Sequence, residues 1–430
     1  MKIGFICPPV PGHFNPMSAL ARQLQSRNHD VVAVSLPVSE PFARAANLQF
    51  APFGEKEFSA EKFAETVGKN SRLKGEESQQ FVLDAIAAIA EVKWRILPKL
   101  LVSLGIDAVV LDDCDFYGAT IPIHLGMPYA ILSNAIHFDY SGYTPFCYYD
   151  YAHESTSEGL RRNRQGVAKF IQMLVRSHAN VIAQAKKIGI NGDWENPSSL
   201  YSGYPWITQC PREFDFESSH WPRHFHYAGP FHDGKGRIEV PFPWDKLTGE
   251  PIVYASMGTL QNGNADVFRT IATAVSKHNR FQLVLSIGNV VRPEQIGPLP
   301  TNAIVVNNAP QLELLKKASM CITHAGLNTV LEALAQGVPQ IAIPVTNDQP
   351  GVAARIAHKK TGKRTPLDGL NTANLSALLN EVFDDPIYRD NSRAIQKAIV
   401  KKNGLSGAAD LLEQAFGLTK TTEAAVQQSA

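Results

Sequence analysis

"ITHAGLNTVLEALAQGVPQIAIPVTNDQP", Ile322 to Pro350, decides the fold. The apolar run ending in MCIT reads as a buried strand, His324 and Gly326 make a tight turn, VLEALAQ has helical spacing, and PQIAIPV reads as the next strand. Strand, turn, helix and strand in that order form a parallel unit. The helix starts near Asn328 and Thr329, where backbone N–H groups and the positive end of the helix dipole favour a bound phosphate. Asn328 and Thr329 add side-chain donors there, His324 adds another, and Gly326 lets a ligand approach the backbone closely. A purely structural account stands beside this one, because Thr329 and Glu332 have the spacing of a capping box. The polar run Asn347, Asp348 and Gln349 follows the second strand, and strand ends on one edge of a parallel sheet deliver their loops to one crevice.

Working outward, the same alternation fills both halves of the chain. Before the key stretch come PIVYASMG, VFRTIATAVSK, FQLVLSIG, AIVVNNA and LELLKKA. The first half runs KIGFIC, MSALARQLQSR, DVVAVSL and PFARAA, then a long helical pattern, FVLDAIAAIAEVKWRILPKLLVSLG, leading into IDAVVL, ATIPIHLG and PYAILSN. The fold class predicted is α/β, with two Rossmann-like doubly wound domains facing across a cleft. The Gly-, Pro- and charge-rich stretch 232–249 reads as the linker, dividing a first domain, 1–231, from a second, 250–416. The last helix, SGAADLLEQAFG, belongs to the second domain and is expected to pack back toward the first, and 417–430 is expected to be a flexible tail.

Composition narrows the function. With 430 residues, 44% of them hydrophobic, the chain can bury two cores. Its formal net charge of +1 and scattered basic residues argue against nucleic acid as a partner. The five cysteines are dispersed, with no CxxC, and no stretch has the length and apolarity of a membrane span, so reduced thiols and a cytoplasmic location are expected. No His/Cys ligand set stands out, and no metal or cofactor is expected.

The ordered run THAGLNTVLEALAQGVP…IPVTNDQPGVAARI, with NAPQLELLKKASM upstream and YASMGTLQ, resembles the nucleotide-sugar signature of the family-1 glycosyltransferases, whose architecture is GT-B. The motifs look closest to the bacterial branch that includes zeaxanthin glucosyltransferase. The resemblance implies that His324, Asn328 and Thr329 hold the diphosphate of a donor such as UDP-glucose, with Ser256, Gly258 and Thr259 closing over it. It implies further that Glu332 accepts from the ribose hydroxyls, Asp348 and Gln349 hold the transferred sugar, and Gln311 lies beside the base. Two positions depart from the plant pattern: Asn308 and Leu327 stand where plant members carry tryptophans near the base and the sugar.

In that family the first domain binds the acceptor, and a histidine after its first strand removes the acceptor proton. His13, within PPVPGHFNPM, matches the position. An imidazole suits the task, since a hydroxyl is a poor nucleophile until its proton is being taken, and an ordinary pKa of about 6.5 places the ring near neutrality. Pro8, Pro9 and Pro11 restrict the loop, and Pro16 suits the first turn of the following helix. Asp112, ending IDAVVL, is the expected partner that fixes the tautomer, with Asp113 and Asp115 as neighbouring alternatives. The aromatic segment His137 to Tyr151, the helix around Phe170 to Val175, and Trp94 could line an apolar acceptor pocket, which suggests a phenol, flavonoid, terpenoid or carotenoid, although such residues are more often simply core. A nucleotide-sugar epimerase and a non-catalytic nucleotide-binding regulator are the competing readings. The first needs no acceptor, and the second needs no His13–Asp112 pair.

Overall fold

The computed structural model describes residues 1–201, 203–259 and 262–417. The expected tail, from Leu418 onward, lies outside them. The first parallel sheet is built from β1 (Lys2–Ile6), β2 (Asp30–Ser35), β3 (Gln49–Pro52), β4 (Ala108–Asp112), β5 (Tyr129–Ser133), β6 (Trp206–Thr208) and β7 (Phe225–Tyr227). Its order is β3-β2-β1-β4-β5-β6-β7, with parallel pairing throughout. Helices α1 (Pro11–Gln25), α2 (Glu40–Ala45), α3 (Ala60–Asn70), α4 (Gly75–Ser103), α5 (Thr120–Leu125), α6 (Ser157–Ser177) and α7 (Ala179–Lys187) belong to this half.

The second sheet comprises β8 (Ile252–Ser256), β9 (Gln282–Ser286), β10 (Ile304–Val306), β11 (Ala318–Thr323), β12 (Gln340–Ala342) and β13 (Gly362–Arg364), in the order β10-β9-β8-β11-β12-β13. With it come α8 (Ala265–Ser276), α9 (Gln311–Leu315), α10 (Leu327–Ala335), α11 (Gln349–His358), α12 (Thr372–Asp384), α13 (Pro386–Lys402) and α14 (Gly404–Ala415). The architecture is thus two Rossmann-like α/β domains of the GT-B kind. Among the described residues, no helix is long and apolar enough to cross a membrane, and all five cysteines are free.

Helices cover both faces of each sheet, which explains why the strands read as nearly unbroken apolar runs. Side chains still alternate between faces: Ala108 and Val110 join Phe14, Met17 and Leu20 of α1 in one core, whereas Val109 and Leu111 join Phe116 and Phe138 in another. Helix α14 adds Ala408, Ala409 and Leu412 to the first of these cores, far from its own sequence neighbours. Arg27 anchors it further, bonding Asp410 at 2.6 Å and Glu413 at 2.7 Å. Between β7 and β8, residues 232–249 hold one regular element, a 3-10 turn at Trp244–Lys246.

In each sheet the strand order reverses beside its first strand, between β1 and β4 and between β8 and β11. Loops leaving those carboxyl ends diverge and open a crevice. The chain departs from the sequence expectation in local ways. Helix α1 begins at Pro11, so Pro16 lies inside it and His13 occupies its first turn, with the His13 N–H bonded to Val10 O at 3.1 Å. Pro11 is accommodated because first-turn N–H groups lack helical partners anyway, whereas Pro16, having no N–H, leaves Gly12 O without its helical donor. The β3 strand, α3 and the short β6 and β7 strands fall in stretches with weak periodicity.

Candidate active site

The carboxyl ends of β1 and β4 set the first half of the site. Asp112 is the last residue of β4, and its Oδ2 accepts the His13 Nδ1–H at 2.7 Å. That bond leaves Nε2 to carry the lone pair of a neutral ring. The carboxylate also accepts from Asn134 Nδ2 at 2.7 Å on the same oxygen and from the Cys114 backbone N–H at 2.9 Å on Oδ1. Burial opposes its charge, but His13 and these donors hold its pKa below the usual carboxylate range. For His13, burial lowers the pKa, but Asp112, through charge and hydrogen bond, outweighs that and pushes it up to about 9.

The chain leaves β4 at Asp112 and turns, which separates the three neighbouring aspartates. Asp113 accepts from Ser133 Oγ, and burial followed by the Asp112 charge raises its pKa well above the ordinary value. Asp115 pairs with Lys93 at 2.6 Å. Asp112 alone meets the imidazole. One ligand atom each from His13, Asp112 and Cys114 lie within 4.8 Å of one another, and burial followed by the Asp112 and Asp113 charges keeps the Cys114 thiol protonated.

The second half lies at the ends of β8 and β11. Gly326 is the N-cap of α10, and Leu327, Asn328 and Thr329 form the first helical turn. The capping-box account is not what the structure shows, since no side chain caps this helix and Glu332 bonds elsewhere. The His324 ring sits between two glycines: a Cβ on Gly258 would lie 2.5 Å from it, and one on Gly326 would also collide. Gly258 has φ +72, a conformation that glycine adopts without strain. Burial depresses the His324 pKa to about 4, which keeps the ring neutral, and its Nδ1 is buried without a hydrogen-bond partner. Ser256 Oγ accepts from Gly258 N at 3.3 Å, and Thr259 is exposed at the end of the same turn.

Deeper along α10, Glu332 is 3% exposed and both its oxygens are engaged. Arg237, from the stretch joining the domains, donates to Oε1, and Gln311 Nε2 donates to Oε2 at 2.7 Å. Gln311 also donates to Thr329 Oγ1 at 3.3 Å and accepts from Tyr254 OH at 3.0 Å. Asp348 is the N-cap of α11 rather than a free loop residue, and Gln349 is the first residue of that helix. The Asp348 Oδ2 accepts from Ile136 N of the first domain at 3.1 Å, and Gln349 Oε1 accepts from Val345 N and Thr346 N at 2.9 and 3.1 Å. Burial raises the Asp348 pKa, opposed by the Ile136 N–H and the His13 charge.

The aromatic segment is packed mainly as core. Phe138, Phe146 and Phe170 are at most 1% exposed and touch one another, with ring centroids 4.5 Å apart for Phe146 and Phe170. His137 bonds Asp215 at 2.9 Å and Thr208 at 3.1 Å, and Trp94 donates to Thr120 Oγ1 at 3.2 Å. Three site-forming residues escaped the sequence reading: Asn134, Gln209 and Arg237. The first two stand one position beyond β5 and β6, a signal available once those strands are placed, whereas nothing in the linker singles out Arg237.

Comparison with known proteins agrees with this fold. The family model described as "UDP-glucoronosyl and UDP-glucosyl transferase" matches residues 246–401. Zeaxanthin glucosyltransferase of Pantoea ananas is 26% identical over 412 residues, covering 95% of this chain and 94% of that protein. Demethyllactenocin mycarosyltransferase of Streptomyces fradiae is 24% identical over 96% of this chain and 86% of its own. Among solved structures, the glycosyltransferase of kitacinnamycin superposes with a TM-score of 0.73 at 20% identity, covering 96% of this chain and 98% of that one. The calicheamicin glycosyltransferase CalG4 follows with 0.71 at 22%, covering 97% and 98%. A donor-domain signature over residues 246–401, relatives that match along the full length, and two facing Rossmann-like domains together give this chain the GT-B fold and a likeness to the UDP-glycosyltransferase superfamily.

Proposed function

We propose that the protein transfers a sugar, glucose in the first instance, from a nucleoside diphosphate donor such as UDP-glucose to a hydroxyl of a hydrophobic small molecule, with inversion. The observation that carries this reading is the His13–Asp112 pair at 2.7 Å, held at one crevice edge with the first turn of α10 docked beside it through Asn328. An epimerase or a binding regulator has no use for that pair.

Residues 1–231 serve the acceptor and 250–416 the donor. The acceptor O–H proton passes to His13 Nε2 as the oxygen bonds to the anomeric carbon. The bond from that carbon to the diphosphate breaks, and the leaving group departs with the electron pair toward the α10 N-terminus. There His324, Asn328 and Thr329 supply fixed donors beside the open backbone N–H groups, with Ser256, Gly258 and Thr259 opposite. Glu332 receives the ribose, Gln311 lies toward the base, and Asp348 and Gln349 hold the sugar hydroxyls. Asp112 stabilises the imidazolium as it forms.

The test is incubation with several nucleotide sugars and a panel of phenols, flavonoids, terpenoids and carotenoids, following nucleoside diphosphate release and product mass. Acceptor-dependent release with a mass gain of one hexose is expected. An isomerised sugar without acceptor would establish the epimerase, and binding without release the regulator.

A further inference from the structure

The His13–Asp112 pair is one arc of a closed hydrogen-bond ring that crosses between the domains. Asp112 Oδ2 accepts from Asn134 Nδ2 at 2.7 Å. The Asn134 backbone carbonyl accepts from Gln209 Nε2, and the second hydrogen of that amide goes to Asn328 Oδ1 at 2.8 Å. The Asn328 Nδ2 in turn donates to Gly12 O, one residue before His13. Because both acceptors of Gln209 Nε2 are oxygens without hydrogens to give, the orientation of this amide is fixed. Its Oε1 faces the Phe231 N–H at 3.4 Å.

The ring is laid out by the sheet. Asp112 ends β4, and Ser133 and Thr208 are register partners at the ends of β5 and β6, so Asn134 and Gln209 stand side by side one step further out. Both are 1% exposed. Buried amides at such positions are costly unless their hydrogen bonds are made, and here the partner that completes Gln209 comes from the other domain. Removing α10 from the cleft would leave Gln209 short of one acceptor and Gly12 O without its donor. Docking it restores both, and the restored bonds bear on the residue before His13 and on the carboxylate behind it.

We propose that Asn134 and Gln209 are positioning residues which make the alignment of His13 conditional on the docking of the donor-binding helix through Asn328. This rests on the transferase reading above. The ring assembles the base when the donor domain is seated, which limits deprotonation to the closed state. It also gives Asn328 two tasks, since its Nδ2 carries a further hydrogen that remains to meet a phosphate oxygen.

The experiment uses Asn134→Ala, Gln209→Met and the double variant of the full chain. Each single variant should lose about tenfold or more in kcat while the UDP dissociation constant from calorimetry changes less than about threefold. The double variant should lose no more than the worse single one, because a ring is broken once. Losses that multiply, or a kcat within about twofold of the parent in both single variants, overturn the proposal. If Gln209→Met does not fold, Gln209→Glu keeps the shape while removing both donors, and full kcat in that variant overturns it equally. Nuclear magnetic resonance of the His13 ring, assigned by its loss in His13→Ala, supplies a readout independent of turnover. Saturating UDP should shift this resonance in the parent, and the shift should fall by more than half in the Gln209 variant. An undiminished shift refutes the ring. Absence of any transfer by the parent protein would instead refute the functional reading, and the resonance experiment would still decide the inference.

Discussion

Replacing Asp112 by asparagine removes a charge while keeping the shape of the side chain, and its consequences can be worked out from the contacts. Asp112 Oδ2 accepts from both His13 and Asn134, and Oδ1 accepts from the Cys114 N–H. An asparagine has one oxygen and one NH₂, so in either orientation a buried donor faces another donor. If the NH₂ turns toward His13, it selects the tautomer with the proton on Nε2, which cannot accept from a substrate. The charge effect is equally direct. Burial lowers the His13 pKa, and Asp112 overcomes this to bring it from 6.5 to about 9. The neutral, base-competent fraction at pH 7 is therefore on the order of 1% in the free enzyme. In the parent, kcat/KM for the acceptor should rise about tenfold per pH unit from pH 6 and level off near pH 9. Without the carboxylate the limb should move toward pH 6.5. That span corresponds to about 3 kcal/mol, an upper figure because the His13 side chain is 22% exposed. The plateau should fall by about 10²- to 10⁴-fold, as for loss of a base and its orienting group. Nucleoside diphosphate release measured from pH 6 to 10 at limiting acceptor decides the matter. A limb that stays near pH 9 in Asp112→Asn, or a plateau equal to the parent's, would refute the assignment.

Other outcomes follow from the same contacts. Because the folded His13 pKa is raised, its contribution to stability is complete below pH 6.5 and is lost as pH rises through about 9. The difference in unfolding free energy between the parent and His13→Ala should shrink over that window, and a difference that grows would contradict the pairing. Glu332→Ala should weaken nucleotide-sugar binding by about tenfold in calorimetry, the worth of a hydrogen bond to a charged group; unchanged affinity would assign Glu332 to the Arg237 contact alone. Gly258→Ala forces a Cβ against the His324 ring at φ +72, so thermal melting should report a loss of about 1–3 kcal/mol. Arg355→Met strips Asp215 of its ion pair at 2.7 Å, in a site where both are 2% exposed, leaving His137, Tyr227 and the Phe216 N–H as partners. A loss of about 3–5 kcal/mol in denaturant unfolding is expected, and a loss under about 1 kcal/mol would show the pair to be dispensable.

By itself the sequence determined the alternation of strands and helices, the two-domain layout and the strand–turn–helix corner at His324 to Thr329. These are recorded locally: apolar runs mark strands buried on both faces, and Gly326 and Gly258 mark turns where the backbone is crowded by the His324 ring. It also placed His13 after the first strand and Asp112 at the end of IDAVVL, but the DDCD run left three carboxylates open. Only the fold separates them, since the chain turns after Asp112 and Ser133 and Lys93 claim Asp113 and Asp115. The aromatic segment looked like a pocket because composition does not tell whether rings face a ligand or one another, and Phe138, Phe146 and Phe170 face one another. Arg237 on Glu332, and the ring through Asn134, Gln209 and Asn328, join residues about a hundred positions apart. Contacts of that range depend on which strand ends become neighbours and on how the second domain is seated, and periodicity along the chain carries no record of either.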